Sequence, residues 1–207
     1  MTVVVHCCKL LSELCKSNVS RLSLSNSVTQ NNFSKYNMEE KKLIPLVGFG
    51  KVRFGMSVDQ VEKILGKADE KNVDVRFGEE PDDIATELVY DKLGLSLSFD
   101  KLYKYRLTDI MTEEGSQFSL DGTIKLGDAK DKVLAAALEK DYGPYEEADL
   151  TEEAEDEDEI REIEEEGLEE IDFEDMGLNL WFSKGVLSTI QLGPEFDEHD
   201  SPIWPEA

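Results

Sequence analysis

A glycine, a short alternating strand and a capped amphipathic helix stand together at residues 50–66, "GKVRFGMSVDQVEKILG", and the same order returns 72 residues later in "GTIKLGDAKDKVL". A chain that repeats a unit too small to bury its own apolar face must pack the copies together, and this constrains the fold more than any other feature. In the first copy Val52 and Phe54 alternate with Lys51 and Arg53 as a half-buried strand, and Gly55 lets the chain turn out of it. Ser57 is placed to cap a helix, Gln60 completes a capping box, and Met56 and Val61 hold the two positions of a hydrophobic staple. Val58, Val61, Ile64 and Leu65 form one apolar stripe and Gly66 stands at the C-cap, so the spacing predicts a helix over 58–65. So short a helix needs a sheet beneath it. In the second copy Ile124 and Leu126 make the strand and Asp128 the cap. Val133, Leu134, Ala137 and Leu138 then line a longer helix, and Gly143-Pro144 stops it.

Each helix is followed by strand signals. After the first come "VDVRF" (73–77), "TELVY" (86–90), "LSLSF" (95–99) and a segment within 102–110, separated by turn-formers. After the second come "GLNLWF" (177–182) and "VLSTIQL" (186–192), so that "LGLSLSFD" is echoed by "MGLNLWFS". The offset between those two is 83 residues rather than 72, and the added length falls within an acidic run. The expected fold is therefore α+β: two tandem helix-plus-antiparallel-strand repeats forming a sheet with helices on one face. The first repeat spans 47–115, and the second spans 120–193 with an acidic insertion at 145–175. A C-terminal tail occupies 194–207.

The pattern "FGMSVDQVEKILGKADE", a glycine before a capped helix that ends at Leu-Gly and leads into strands, resembles the repeat shared by the BamE/SmpA outer-membrane lipoproteins and the β-lactamase inhibitor protein family. The resemblance covers about residues 47–193. It implies helices on one side of an antiparallel sheet, used twice in tandem, and a non-enzymatic, partner-binding style of function.

Charge narrows the class of partner. The formal net charge is −25, from 47 acidic against 22 basic residues, and phosphates need Lys and Arg to neutralise them, so no nucleic acid is expected as a ligand. A basic protein is the expected partner. Residues 1–37 differ in kind: Lys9, Lys16, Arg21 and Lys35 stand against Glu13, all three cysteines (Cys7, Cys8, Cys15) lie there, and "SLSNSVTQNNFS" has the composition of a disordered tail. Lys9 and Glu13 interrupt the apolar stretch that a signal peptide needs, and Leu14 and Glu13 stand where a lipoprotein wants small residues. The segment is expected to be a disordered or non-native extension, with Met38 as a possible start. From Met38 onward there is no cysteine and no long apolar run, so a cytoplasmic location and no membrane contact are expected.

If helices cover one face of the sheet, residues alternating with the core lie on the other. Trp181 alternates with Leu180 and Phe182, so the indole points out, beside Asn179 and Ser183, if those two point in; the opposite register, with Trp181 in the core, stays open. Tyr103 and Tyr105 share a face of an earlier strand. Together these residues would anchor a protein partner. The run at 145–175 holds 19 Asp and Glu and one Arg. One reading is a solvated insertion, partly helical, with Ile160, Ile163, Leu168 and Ile171 as a thin seam. The other is an acidic edge, including Glu157, Asp158 and Glu159, that steers a basic partner and could mimic a nucleic-acid backbone. A calcium site would need a D-x-D-x-D-G loop, and the run has none. His6 and His199 are the only histidines, and neither joins a Ser/His/Asp or Cys/His set, so no catalytic residue, metal site or cofactor is expected.

The function expected is thus a non-enzymatic protein-binding module, an inhibitor or toxin-immunity-type protein acting through an open sheet face. The alternative is a cell-envelope structural or assembly protein of the BamE type.

Overall fold

A computed structural model describes residues 41–76, 83–112, 114–154 and 156–206. The N-terminal extension and all three cysteines lie outside the described residues.

Three short strands, β1 (Lys42–Ile44), β2 (Gly48–Phe49) and β3 (Val52–Arg53), lead to helix α1 (Val58–Leu65). The capping box forms as the sequence predicts: Ser57 N donates to Gln60 Oε1 at 2.9 Å and Gln60 N to Ser57 Oγ at 3.4 Å. Val61 is fully buried, with Val58, Ile64 and Leu65 packed beside the core. Gly66 closes the helix at φ 92°, ψ −177°, a positive φ outside the left-handed helical well. A four-stranded meander follows: β4 (Glu70–Arg76), β5 (Ile84–Tyr90), β6 (Leu95–Asp100) and β7 (Arg106–Thr112).

The second half opens with β8 (Ser119–Leu120), β9 (Ile124–Lys125) and helix α2 (Lys130–Glu139). Asp128 does not cap α2. Ala129 holds that position without a side-chain bond, while Asp128 accepts from Lys125 N at 3.0 Å and pairs with Lys132 at 2.5 Å. Then come β10 (Glu146–Ala148), α3 (Leu150–Glu153), α4 (Glu157–Glu166), β11 (Leu168–Phe173), β12 (Leu178–Ser183) and β13 (Val186–Leu192). A final hairpin pairs β14 (Glu195–Phe196) with β15 (Pro202–Ile203).

The large sheet runs β10-β11-β12-β13-β7-β6-β5-β4, antiparallel throughout. It is two meanders that meet at β13–β7, where Gln191 pairs with Met111 and Leu192 with Ile110. Beyond those pairs a side chain extends the seam: Ile190 N donates to Thr112 Oγ1 at 2.7 Å, and the hydroxyl donates back to Ile190 O at 3.2 Å. A smaller sheet, β3-β2-β1-β8-β9, ties the halves together through the parallel pair β1–β8. One face of the large sheet packs with α1, α2 and the small sheet around a single core. Leu88, Leu97, Ile110, Leu192, Leu178 and Phe173 face it from successive strands.

The expected α+β pair of helix-plus-strand repeats, with helices on one face, is corrected by this arrangement. Strand outweighs helix, and the architecture is a large antiparallel sheet with four short helices among the described residues. Helices also lie on both faces: α1 and α2 share the main core, whereas Leu150 of α3 and Ile163 of α4 pack on the opposite face with Met111 and Trp181. The acidic run is the physical reason. It supplies two strands of the sheet, β10 and β11, and the helical pair that closes the second face over them.

Candidate functional site

Trp181 sits on the second face of the sheet, with Leu180 and Phe182 in the main core, which settles the register. It is nevertheless only 3% exposed. Leu150, Ile163 and Met111 enclose it, so the expected exposed anchor is corrected. The cause is local: an indole on a sheet face is a large apolar area, and the α3–α4 hairpin buries it. Its Nε1 has no hydrogen-bond partner among the described residues, a donor arrangement that costs about 1–3 kcal/mol when buried. Asn179 lies on the same face, half-buried, and donates from Nδ2 to Glu170 Oε1 at 2.6 Å.

Glu157, Asp158 and Glu159 form the first turn of α4. Asp156 Oδ1 accepts from Asp158 N at 2.9 Å and Glu159 N at 3.0 Å, so carboxylates gather where the helix presents unsatisfied N–H groups. Asp158 also pairs with Arg161 at 3.0 Å. These three residues have a structural reason for being acidic.

Tyr103 and Tyr105 do not share a strand face. Both lie in the β6–β7 turn, where Lys104 at φ 62° and Tyr105 at φ 54° reverse the chain. Tyr105 folds back against the main core. Tyr103 turns the other way, with its ring centroid 6.1 Å from Phe196 and 6.4 Å from Trp204, and its hydroxyl donates to Asp200 O at 3.2 Å.

An aromatic patch results, formed by the β6–β7 turn and the β14–β15 hairpin. Leu102 is 64% exposed, Ile203 45%, Phe196 39% and Trp204 36%. The patch is built rather than floppy. A Cβ on Gly55 would lie 2.7 Å from the Trp204 ring, and Gly55 holds φ 80°, so a side chain there is excluded twice. Asp197 Oδ1 pins the hairpin by accepting from His199 N at 2.8 Å and Ser201 N at 2.9 Å. The same hairpin carries the exposed residues Glu195, Asp197, Glu198 and Asp200. Burial raises the Tyr103 hydroxyl pKa, and Asp100 and Asp200 add to that. Phe196 and Trp204 fall in a segment that reads as a tail, because two-residue strands leave no periodicity.

The second face of the first meander is polar instead. Ser96 Oγ donates to Glu87 Oε1 at 2.8 Å, Asn72 Nδ2 to Glu87 Oε2 at 2.9 Å, and Gln191 Nε2 to Asp109 Oδ2 at 2.7 Å. Burial pushes the Asp109 carboxyl up to about 7; the Gln191 hydrogen bond opposes this and the Glu87 charge adds to it. A concavity between the small sheet and α1 is lined by Phe49, Val52, Ile64, Leu65, Leu93 and Phe118, with Lys41 and Lys51 as its charged liners. His199 is exposed and its Nε2 lies 3.7 Å from Glu198. Among the described residues no group of three or more His, Cys, Asp or Glu is arranged to hold a metal ion, and no helix is long and apolar enough to cross a membrane.

Comparison with protein-family models, with curated proteins and with solved structures returns no match for this chain.

Proposed function

We propose that this chain is a non-enzymatic binding module that captures a basic protein partner, in the manner of an inhibitor or immunity protein, through the Tyr103–Phe196–Trp204 patch. One observation carries the reading: the exposed rings of Phe196 and Trp204, packed against Tyr103 and held in place by Gly55 and the Asp197 turn, lie in a hairpin that also carries exposed carboxylates. Trp and Tyr are the side chains that most often dominate binding energy, because each brings a large rigid area at small entropic cost. The hairpin's carboxylates steer a cationic partner and reject acidic ones, while the net charge of −25 disfavours a second copy of the chain as the occupant.

Affinity capture from lysate with matched baits tests it. The wild-type chain retains a basic protein in stoichiometric amount at low salt, and Tyr103→Ala/Trp204→Ala, with its circular dichroism unchanged, loses it. High salt weakens the capture because rim charges are screened. Retention that is indifferent to both the double substitution and salt contradicts the reading, as does the absence of any stoichiometric partner.

A further inference from the structure

The concavity beside α1 carries the opposite charge to the chain as a whole. Its floor is the buried set Phe49, Val52 and Phe118, with the two phenyl rings edge to face at 5.0 Å. Ile64 and Leu65 of α1 and Leu93 of the β5–β6 turn stand around that floor half-buried, so apolar area is left uncovered in a hollow of about 100 Å³. Enclosed apolar cavities of about 150 Å³ hold a benzene ring. A partly open hollow of this size takes a single ring or a short alkyl chain, with the head group left outside.

In a chain with 47 acidic residues, no Asp or Glu stands among the described residues that line the hollow, and its two charged liners are Lys41 and Lys51. Both are placed by their neighbours. Lys41, half-buried, donates from Nζ to the amide oxygen of Gln117. Lys51 rides on the β2–β3 turn, which Arg53 Nη1 pins by donating to Gly50 O at 2.8 Å and to Val52 O at 2.9 Å. Neither ammonium has a carboxylate partner among the described residues. Elsewhere lysines do: Lys42 pairs with Asp121, Lys130 with Glu169 and Lys184 with Glu166. Positive charge beside uncovered apolar surface is the arrangement that recognises an amphiphilic anion, because burial supplies affinity and a few polar groups fix the orientation.

We propose that this concavity is a binding site for a small free monocarboxylate with an apolar body, of the chemical class of a short-chain fatty acid. The alkyl chain covers Ile64, Leu65 and Leu93 above the Phe49–Phe118 floor. The carboxylate accepts from the Lys41 and Lys51 ammonium groups, and such charge-assisted bonds are stronger than those a neutral head group makes. The site shares no residue with the Tyr103–Phe196–Trp204 patch, so either can fail without the other.

The test uses the full chain, methyl-labelled at Ile, Leu and Val, titrated with sodium hexanoate and, at matched ionic strength, with hexanol and hexylammonium chloride. Hexanoate should shift the Val52, Ile64, Leu65 and Leu93 methyl resonances saturably and bind about fivefold or more tighter than hexanol. Hexylammonium should bind more weakly than hexanol. Lys41→Gln/Lys51→Gln should bring hexanoate down to the affinity of hexanol while leaving hexanol unchanged, a split that a loss of structure would not produce. Lys51→Gln alone serves the same purpose, with a smaller loss, if the double variant does not fold. Tyr103→Ala/Trp204→Ala should bind hexanoate as the wild type does. Absence of saturable hexanoate binding, shifts confined to other methyls, equal affinity for hexanol, or an affinity indifferent to the lysine substitutions each overturns the proposal.

Discussion

The two meanders of the large sheet, β4–β7 and β10–β13, have the same up-and-down course and share one core, yet their second faces are finished in opposite ways. The first meander carries Ser96, Glu87 and Asp109, each hydrogen-bonded to a neighbouring strand. The second carries Trp181 and hides it under α3 and α4. Short polar side chains can satisfy one another in the plane of a sheet, whereas an indole exposes too much apolar area and recruits a lid. The edges differ too. β4 is seven residues long and exposed, guarded by Glu70, Lys71, Asp74 and Arg76 and by a register shift at Asn72/Val75 with Asp74 at φ 56°; β10 is only three residues. Charge and a bulge discourage a foreign strand from adding at β4.

If the meanders share a core, removing a fully buried ring should hurt equally in either. Phe99→Ala in the first and Phe182→Ala in the second should each cost about 3–5 kcal/mol in urea unfolding. A large loss in one and a small loss in the other would separate the halves. The polar face offers the next effect. Asp109 has a folded-state pKa raised from 3.8 to about 7, so between those values the folded chain holds a proton that the unfolded chain has released. Stability from this group therefore falls as pH rises from about 4 to 7, by no more than about 4 kcal/mol. Asp109→Asn should flatten that slope and raise the melting temperature at pH 8, read by thermal unfolding across pH; an unchanged profile would mean the carboxyl is solvated.

Much of the chain outside the acidic run was legible in the sequence, and the reason is local. Ser57, Gln60 and Gly66 bracket α1 with signals that need no tertiary information, and the alternation of "VLSTIQL" marks β13 at its observed bounds. The acidic run concealed the rest. Ile171 and Phe173 do alternate with Glu170 and Asp172, but carboxylates occupy so many flanking positions that the strand reads as solvated chain. With β10 and β11 hidden, the helices α3 and α4 had no sheet to cover, and Trp181 was left looking exposed. Asp128 misled differently, since a side chain near a helix start can bond a turn as readily as cap the helix. Of the candidate site, Tyr103 alone was legible; its partners Phe196 and Trp204 come from the far end of the chain, brought there by a hairpin of two-residue strands.

Smaller effects sharpen the comparison where the meanders meet and where each begins. Thr112→Val removes the hydroxyl that joins β7 to Ile190 and leaves a buried N–H unpaired, for an expected loss of about 1–3 kcal/mol in chemical denaturation. Ser57→Ala should cost about 1 kcal/mol through the lost cap of α1. The matching change at Asp128, whose side chain does not cap α2, should leave helix content unaltered by circular dichroism.

The covering of the second meander is the point on which the contrast turns, and the tryptophan emission of Trp204→Phe reports on it directly. Blue-shifted fluorescence from Trp181 that resists acrylamide, and turns red and quenchable when Ile163→Asp loosens the hairpin, is the predicted result. Red-shifted, freely quenched emission from the Trp204→Phe protein in native buffer would contradict it.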